Sequence, residues 1–284
     1  MLLNPHAVVF SPGYTAPLIG LDRFIFTVHD LNHIDVPENS SWVKRLYYKV
    51  VLRRACRAAR TVFTVSEFSK SRIKEWSGAV GSNIVCVGNG VSSAFNDCEK
   101  NDVTRDAFGG YLFSVGNRKV HKNERASVRA LASLSCFPHL RLIFSGLASS
   151  ALAEEIEAQG LTERVEFAGS LSESELCQLY QGAVALLFPS LYEGFGLPAV
   201  EAMAVGCPVI ASNTTALEEV AGGAAIGVNP LNDIDIARGI ASVVKDVGVR
   251  RDAQILGVRR ASQYSWDGVA SVIERYLLAE RPIG

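Results

Sequence analysis

The stretch AVALLFPSLYEGFGLPAVEAMAVGCPVIAS, residues 183–212, predicts a buried strand, a loop, a helix and a second buried strand. AVALLFP is a short, continuous apolar run, which is typical of a parallel strand that is covered on both faces. Pro198 suits the first helical position, and Gly206 with Pro208 ends the helix before the strand CPVIAS. Strand, helix and strand in this order predict an α/β fold with a parallel sheet.

The loop between the first strand and the helix has the features of a ligand site. Gly194 and Gly196 let the backbone approach a ligand closely, and the N–H groups of the new helix can bind an anion such as a diphosphate. Glu201, predicted in the first helical turn, points its carboxylate back at the loop, where it can accept hydrogen bonds from a sugar diol. Glu193 lies in the loop at the C-terminal end of the strand, where open α/β sheets bind ligands. Taken singly, Glu201 is equally well explained as a complement to the helix dipole and Glu193 as a solvated loop residue. Chance is a poorer explanation of the pair on either side of GFGLP.

The segment EGFGLPAVEAMAVGCPVIAS resembles the signature of the family 4 retaining glycosyltransferases. These enzymes have the GT-B fold of two facing Rossmann-like domains. Further matching segments are YLFSVGNRKVHKN, VEFAGSLSESELCQLYQGA and TVSEFSKSRI upstream and ALEEVAGGAAIGVNP downstream. The resemblance covers nearly the whole chain. It implies that a hexose, taken as mannose-like, is moved from a nucleotide-diphosphate sugar to a glycan or polyprenyl-diphosphate-linked acceptor in O-antigen-type or capsule-type polysaccharide biosynthesis.

Length and strand pattern agree with two domains. A chain of 284 residues with 48% hydrophobic residues can bury two cores. The predicted strands HAVVFSP, RFIFTVHD, TVFTVS and NIVCVGNG form an N-terminal domain over residues 1–94, and residues 95–110 form a linker. The strands YLFSVG, LRLIFSG, VEFAG, AVALLFP, PVIAS and AAIGVNP form a nucleotide-sugar-binding domain over residues 111–265. By the resemblance, a helix in residues 266–284 crosses back onto the N-terminal domain.

The resemblance also predicts an incomplete N-terminal domain. Family members usually have a strand, a glycine-rich loop and further βα units before the segment that resembles HAVVFSPGYTAPL. Because a parallel sheet that lacks strands exposes an unpaired edge and apolar surface, three explanations stay open: a misplaced start codon, a truncated gene or a partner that covers the gap. The alternative function is therefore a truncated, non-catalytic or partner-complemented nucleotide-sugar-binding protein.

The segment SVGNRKVHKN predicts a second part of the site. A strand ends at Gly116 and a helix begins near Lys122 and Asn123, so that a cation lies beside a helix N-terminus, which suits a diphosphate. By the resemblance, Lys122 corresponds to the lysine that stabilises the leaving phosphate. Asn117 replaces the arginine that usually follows the glycine, and Arg118 is a candidate substitute, although its side chain would leave a continuing strand on the opposite side. A solvated first-turn lysine is the alternative explanation of Lys122.

His29 and Asp30 end the strand RFIFTVHD and form a third candidate site. A strand-end histidine beside a carboxylate can donate to a sugar hydroxyl or a reacting oxygen. By the resemblance, His29 corresponds to an N-domain histidine near the donor sugar; the alternative is a hydrogen bond to a local carbonyl. Ser66 and Glu67 predict a helix N-cap followed by an acidic first turn.

The resemblance implies a metal-independent reaction in which the acceptor hydroxyl attacks on the face that the diphosphate leaves. The protein then stabilises charge on the leaving phosphate and holds the sugar, and no cofactor is needed besides the nucleotide sugar as co-substrate. The catalytic residues predicted in this way are Glu193, Lys122 and His29. The predicted donor-binding residues are Gly116, Asn117, Arg118, Gly194, Phe195, Gly196, Leu197 and Glu201.

Charge is unevenly distributed although the net charge is −1. Residues 1–95 contain eleven lysines and arginines against six aspartates and glutamates. A predicted helix over residues 41–60 carries a basic residue at every fourth position, while apolar and aromatic residues can face the other way. The basic residues are Arg45, Lys49, Arg53 and Arg57, and the others are Trp42, Val43, Tyr47 and Val50. Such a stripe can bind an anionic membrane surface or a lipid diphosphate, or it is a solvated helix face.

Other classes of protein and location are less favoured. Six scattered cysteines without a CxxC pair predict reduced, buried thiols and no zinc site. With no secretory signal and no membrane-spanning apolar run, the sequence predicts a cytoplasmic protein, with a peripheral position at the inner membrane face as an option. The balanced total charge and the lack of an aromatic-basic motif argue against nucleic acid binding. A nicotinamide-dependent dehydrogenase is disfavoured because no GxGxxG turn follows the first strand.

Overall fold

The computed structural model describes residues 7–80, 83–98 and 110–278 and divides the chain into two compact units. The first unit contains Met1–Gly90, Glu193–Phe195 and Ser265–Gly284, and the second contains Val91–Tyr192 and Gly196–Tyr264. Of the predicted linker, residues 99–109 lie outside the described residues. The three-residue segment Glu193–Phe195 is the part of the glycine-rich loop that belongs to the first unit.

The sheet of the first unit is parallel, with its four described strands in chain order. The strands are β1 (Val9–Ser11), β2 (Phe24–Thr27), β3 (Thr61–Thr64) and β4 (Ile84–Cys86). Each lies within one of the four predicted segments, so these predictions are confirmed. All residues of β2 and β3 are buried, which explains why both read as apolar or β-branched runs.

Among the described residues, four helices lie between strands of the first unit. They are α1 (Asn32–Asp35), α2 (Trp42–Tyr47), α3 (Arg53–Ala58) and α4 (Glu67–Ser77). The Ser66 hydroxyl accepts from the N–H of Ser69 at 3.0 Å and caps α4, and Glu67 lies in the first turn, which confirms the predicted N-cap. The helix ends at Gly78, which has a left-handed φ of 72°.

The prediction of one regular helix over residues 41–60 is wrong, because a π-helical turn at Tyr48–Leu52 separates α2 from α3. A π-turn adds a residue to the helical repeat, so side chains four positions apart no longer stay on one face. Arg45 and Lys49 are exposed, whereas Arg53 is half-buried with an unpartnered Nε. The Arg57 guanidinium donates to the carbonyl of Ser77. The predicted basic stripe is therefore interrupted after Lys49.

The sheet of the second unit has six described parallel strands in the order β10-β9-β8-β5-β6-β7. These strands are β5 (Tyr111–Ser114), β6 (Arg141–Phe144), β7 (Val165–Phe167), β8 (Ala185–Phe188), β9 (Val209–Ser212) and β10 (Ile226–Val228). All six predicted strands are confirmed. The chain runs outward from β5 to β7 and then returns to place β8 on the other side of β5. The topological switch point, where doubly wound sheets bind ligands, therefore lies between β5 and β8.

Helices connect the strands of the second unit. They are α5 (Ser93–Asn96), α6 (Glu124–Ala132), α7 (Ser150–Ala158), α8 (Glu173–Gly182), α9 (Leu197–Ala204), α10 (Thr215–Ala221), α11 (Asp233–Lys245) and α12 (Val247–Ala261). The core between them and the sheet includes Leu112, Leu142, Leu187 and Ile210, each fully buried. Each of these residues lies on a strand, so the apolar runs recognised in the sequence supply the sheet side of the core.

The last described helix, α13 (Trp266–Leu278), belongs to the first unit. The ring of Tyr276 lies 5.7 Å from that of Phe63 on β3, in an edge-to-face arrangement. Trp266 packs on Gly90, where an added Cβ would lie 2.5 Å from the Trp266 backbone nitrogen. The first residue of this helix thus lies so close to position 90 that a side chain there would clash with it.

Two of the cysteines form a disulfide, which corrects the prediction that the thiols are reduced. Cys98, which follows α5, is bonded to Cys177 on α8, with the two Cα atoms 6.7 Å apart. Cys56 and Cys207 are buried thiols outside the disulfide, and Cys136 is an exposed one. The sequence could not reveal the pair because its members are 79 positions apart and meet only where α5 packs against α8.

Candidate functional site

In the second unit, the structure brings Lys122 to the end of β8, at the switch point. Lys122 closes a 3₁₀ turn, Val120–Lys122, in the loop that follows β5. Its Nζ lies 4.9 Å from the centroid of the Phe188 ring, at the last position of β8. The N–H of Leu191 donates to the carbonyl of His121 at 2.7 Å and joins the two loops. The predicted cation therefore lies between the carboxyl ends of two adjacent parallel strands, where an anionic ligand is expected.

Asn123 anchors this arrangement. Its φ of 56° is left-handed, a conformation that asparagine tolerates better than most residues, and α6 begins directly after it. Its side-chain amide donates to the carbonyls of Pro189 at 3.0 Å and Pro230 at 2.7 Å. The loops after β5, β8 and β10 are thus held by one amide. From the sequence, Asn123 was predicted only to lie near the start of a helix. Its hydrogen bonds to the two other loops were not predicted.

Arg118 makes its contacts with the protein. Its guanidinium pairs with Glu124 and donates to the carbonyls of Ser145 and, at 2.7 Å, Leu147. Its own φ of 61° is left-handed, so the strand does not continue through it. Burial raises the pKa of Glu124 above its usual range, and the charge of Arg118 opposes that shift. Arg118 would have to exchange these partners to bind a phosphate.

Two neighbours of Arg118 were also predicted to bind the donor. Gly116 packs on the side chain of Glu124, because an added Cβ would lie 2.0 Å from its Oε1 and would displace the carboxylate that pairs with Arg118. The Asn117 side chain is exposed, and its Oδ1 accepts from the N–H of Lys119 at 3.3 Å. Gly116 and Asn117 therefore lie in one loop with Lys122, and Gly116 leaves room there for the Glu124 side chain of α6.

The helix after the glycine-rich loop begins one residue earlier than predicted. Since α9 starts at Leu197, Pro198 is the second helical residue and Glu201 lies beyond the first turn, which corrects the prediction. Gly196 precedes the helix with a left-handed φ of 99°, and an added Cβ would lie 2.4 Å from a methyl carbon of Leu217. A residue without a side chain is thus needed where the loop enters α9.

Glu201 is held by a buried tyrosine. The hydroxyl of Tyr180, on α8, donates to Oε2 of Glu201 at 3.1 Å. Burial raises the pKa of Glu201, the Tyr180 hydrogen bond lowers it, and the charge of Glu173 raises it. Burial also raises the pKa of Tyr180 well above its ordinary value, so the phenol remains a donor. No sequence pattern indicates this contact, because the two residues lie on different helices.

In the first unit, the segment Glu193–Phe195 is anchored on α4. The Ser66 and Ser69 hydroxyls donate to the carbonyl of Gly194 at 2.7 and 3.0 Å. Both serines are buried, and their spacing of three places them on one face of the helix. Ser66 was predicted only as a cap, and Ser69 was missed; the i, i+3 pair of hydroxyls was the available signal. Glu193 and Phe195 flank this anchored carbonyl, Glu193 half-buried and Phe195 buried.

The first unit also brings His29 and Asp30 to this segment. An added Cβ on Gly194 would lie 2.4 Å from Cβ of Asp30, so the glycine packs directly on the strand-end carboxylate residue. The Asp30 carboxylate accepts from the Tyr14 hydroxyl at 3.2 Å. His29 is exposed, and its Nε2 lies 3.3 Å from the carbonyl of Pro12. This contact is the local carbonyl interaction considered as the alternative for His29, and it leaves the ring at the surface.

Within residues 7–80, 83–98 and 110–278, no group of three or more histidine, cysteine, aspartate or glutamate side chains is arranged to hold a metal ion. No helix in the same part of the chain combines the length and the apolar character needed to cross a bilayer.

Comparison with sequence families gives two matches that together cover most of the chain. Residues 99–255 match the family described as glycosyl transferases group 1, and residues 4–95 match glycosyltransferase family 4. O-antigen chain mannosyltransferase B of Escherichia coli is 31% identical over 87% of this chain and 68% of its own length. O-antigen chain mannosyltransferase RfbU of Salmonella typhimurium is 28% identical over 95% of this chain and 73% of its own length.

Solved structures support the fold. HepE from Anabaena, determined in complex with UDP and glucose, has a TM-score of 0.75 at 22% identity and covers 90% of this chain and 71% of its own. Sucrose-phosphate synthase from Thermosynechococcus elongatus has a TM-score of 0.73 at 22% identity. The match covers 90% of this chain and 68% of the synthase. At these identities the likeness concerns the fold alone, which is the two-unit parallel-sheet architecture of the GT-B type predicted from the sequence.

Proposed function

Because this chain belongs to the group 1 glycosyltransferases, we propose that it transfers mannose from a nucleoside-diphosphate sugar to a glycan acceptor of O-antigen-type polysaccharide. The observation that carries the proposal is the position of Lys122 at the switch point of the second sheet, 4.9 Å from the ring of Phe188 at the end of β8. The choice of mannose rests on the names of the two relatives. Since both are named as transferases, a non-catalytic binding protein is the less favoured alternative.

In the second unit, we assign donor binding to Lys122, to the N-terminus of α9 and to Glu201. Lys122 and the N–H groups at the start of α9 neutralise the diphosphate, as cations and helix N-termini do in other phosphate sites. One well-placed donor of this kind contributes about 3 kcal/mol to lowering a barrier. The Glu201 carboxylate accepts hydrogen bonds from the ribose. Gly116, Asn117 and Arg118 are assigned to the same donor-binding loop.

In the first unit, Glu193 and His29 are assigned to the donor sugar. Glu193, with the backbone of Gly194 and Phe195, is proposed to bind sugar hydroxyls, because the Ser66 and Ser69 hydroxyls hold this segment in one conformation. His29 carries an exposed imidazole at the carboxyl end of β2. Retention of the anomeric configuration and independence of metal ions are further parts of the proposal.

The acceptor is proposed to be a glycan on a polyprenyl diphosphate at the inner face of a membrane, which α2 and the following π-turn contact. Residues 41–60 contain seven lysines and arginines and no acidic residue. Apolar side chains on this segment are exposed, among them Trp42 at 70%, Leu46 at 51% and Val50 at 58%. Exposed apolar side chains among cations suit an anionic interface.

Vesicle sedimentation tests this membrane contact. More of the protein should sediment with anionic vesicles than with zwitterionic vesicles, and Trp42→Ala should reduce the fraction that sediments with anionic vesicles. Equal sedimentation with the two kinds of vesicle would exclude this part of the proposal.

The test of the transferase proposal is sugar transfer by the purified full chain. GDP-mannose and UDP-glucose are offered with a mannosylated lipid acceptor, and the released nucleoside diphosphate and extended acceptor are quantified together. We expect extension with GDP-mannose. If nucleotides raise the melting temperature but no donor extends the acceptor, the chain is a binding protein, and the transferase proposal is wrong.

A further inference from the structure

The contact between Tyr180 and Glu201 joins a fully buried phenol to a half-buried carboxylate. Tyr180 has no exposed surface, and its hydroxyl lies 3.1 Å from Oε2 of Glu201. A buried hydroxyl without an acceptor costs the free energy of its desolvation, so this phenol depends on the carboxylate as much as the carboxylate depends on it. The second carboxylate oxygen, Oε1, has no hydrogen-bond partner in the part of the chain that the structure describes.

The ring of Tyr180 is fixed by aromatic packing. Its centroid lies 5.3 Å from that of Phe113 on β5, in an edge-to-face arrangement, and 6.1 Å from that of Phe95 on α5. Ser172 and Glu175 form a capping box at the start of α8, which secures the helix that carries the tyrosine. The phenol therefore has one position from which to donate its hydrogen bond.

We propose that Tyr180 is a positioning residue that fixes the Glu201 carboxylate so that Oε1 accepts from the ribose diol of the donor, an inference that rests on the proposed function. A glutamate side chain has three rotatable bonds, and an unanchored carboxylate would lose that freedom on binding the diol. Because Tyr180 holds Oε2 before the ligand binds, the side chain of Glu201 loses its rotational freedom when the protein folds and not when the diol binds. The tyrosine thus acts through Glu201 and does not itself touch the ligand.

The test measures how strongly the protein distinguishes a ribose diol. Dissociation constants of GDP and UDP are compared with those of their 2′,3′-dideoxy analogues, for the full chain and its variants. For the wild type, we expect the dideoxy analogue of the preferred nucleotide to bind about tenfold more weakly, as for the loss of a hydrogen bond to a charged group. In Tyr180→Phe this ratio should fall to less than about threefold, mainly because GDP or UDP itself binds more weakly.

Tyr111→Phe is the matched control. The Tyr111 hydroxyl also donates to α8, to the carbonyl of Leu179 at 2.9 Å, but does not contact Glu201. Its removal should leave the wild-type ratio unchanged. Thermal unfolding establishes that each variant is folded. Should Tyr180→Phe not fold, 3-fluorotyrosine at position 180 keeps the hydroxyl and changes its acidity, which should alter the ratio if the hydroxyl controls Glu201.

The outcomes separate this inference from the proposed function. If the wild type distinguishes the diol and Tyr180→Phe does so equally well, the positioning role is wrong while donor binding stands. If Tyr180→Phe and Tyr111→Phe lower the ratio equally, the effect belongs to α8 as a whole, and the inference is also wrong. If the wild type binds neither GDP nor UDP, the proposed function fails, and the inference fails with it.

Discussion

Arg118 and Glu124 form an ion pair that is largely closed to solvent, with 14% and 7% of their side chains exposed. The Arg118 guanidinium also stacks at 5.3 Å on the ring of Phe144 and donates to the carbonyl of Leu147 at 2.7 Å. It therefore holds the loop after β5 against the loop after β6. The ion pair shapes the loop that leads to Lys122, the residue on which the proposed chemistry depends most.

Replacing Glu124 with alanine should destabilise the protein. The substitution leaves the Arg118 charge buried without its partner, which should lower the free energy of unfolding by about 3 kcal/mol. Urea unfolding measures this change. Glu154→Ala, on the exposed face of α7, is the control and should change stability by less than about 0.5 kcal/mol. Equal effects of the two substitutions would show that the ion pair does not support the loop.

Lys122→Ala should slow sugar transfer about a hundredfold, because the charge that develops on the leaving diphosphate loses a donor. The control is Lys119→Ala, an exposed lysine that precedes the same 3₁₀ turn. Initial rates at saturating donor give the comparison. Turnover of the Lys122 variant within about threefold of the control would remove this lysine from the mechanism.

Ser69→Ala should loosen the segment Glu193–Phe195, because the Gly194 carbonyl loses one of its two hydroxyl donors. We expect a loss of stability of about 1 kcal/mol and a higher KM for the sugar donor. Ser71→Ala lies on the exposed face of the same helix and should change neither quantity. An unchanged donor KM in Ser69→Ala would mean that the anchoring supports folding alone.

Donor binding should weaken as the pH falls toward the raised pKa of Glu201. Burial raises the pKa of Glu201, so this carboxyl gains its proton at a higher pH than an ordinary glutamate and then loses an acceptor for the diol. The free energy of unfolding depends on pH in the opposite direction, because a carboxyl group whose pKa is raised by folding favours the folded state at low pH. Nucleotide titrations across this range measure the effect, with Glu201→Gln as a variant that should lack it. A wild-type affinity independent of pH would contradict the role of Glu201.

The sequence predicted the strands well because each is a short apolar run between glycines and polar residues. AVALLFP and YLFSVG lie next to each other as β8 and β5, although the sequence contains no information about that order. Their adjacency follows from the return of the chain after β7. The position of Lys122 at the switch point was therefore predictable only through the family resemblance.

The missed features depend on contacts between distant residues or on irregular backbone. The π-turn at Tyr48–Leu52 has no signal in a sequence that favours helix throughout. Proline generally prefers the first helical position, and this preference placed the predicted start of α9 at Pro198. The helix begins at Leu197 instead, so Glu201 lies beyond the first turn. The Cys98–Cys177 pair and the Ser69–Gly194 contact form only when separate helices and loops pack together.

The measurement that tests the central claim most directly is the anomeric configuration of the product formed from GDP-mannose, followed by proton NMR during the reaction. A retaining mannosyltransferase gives an α-linked product from this α-linked donor, and we predict that the transferred mannose is α-linked and that Lys122→Ala slows its formation. A β-linked first product would contradict the retaining mechanism. The absence of any mannosylated product, with the acceptor and donor both bound, would contradict the assignment as a mannosyltransferase.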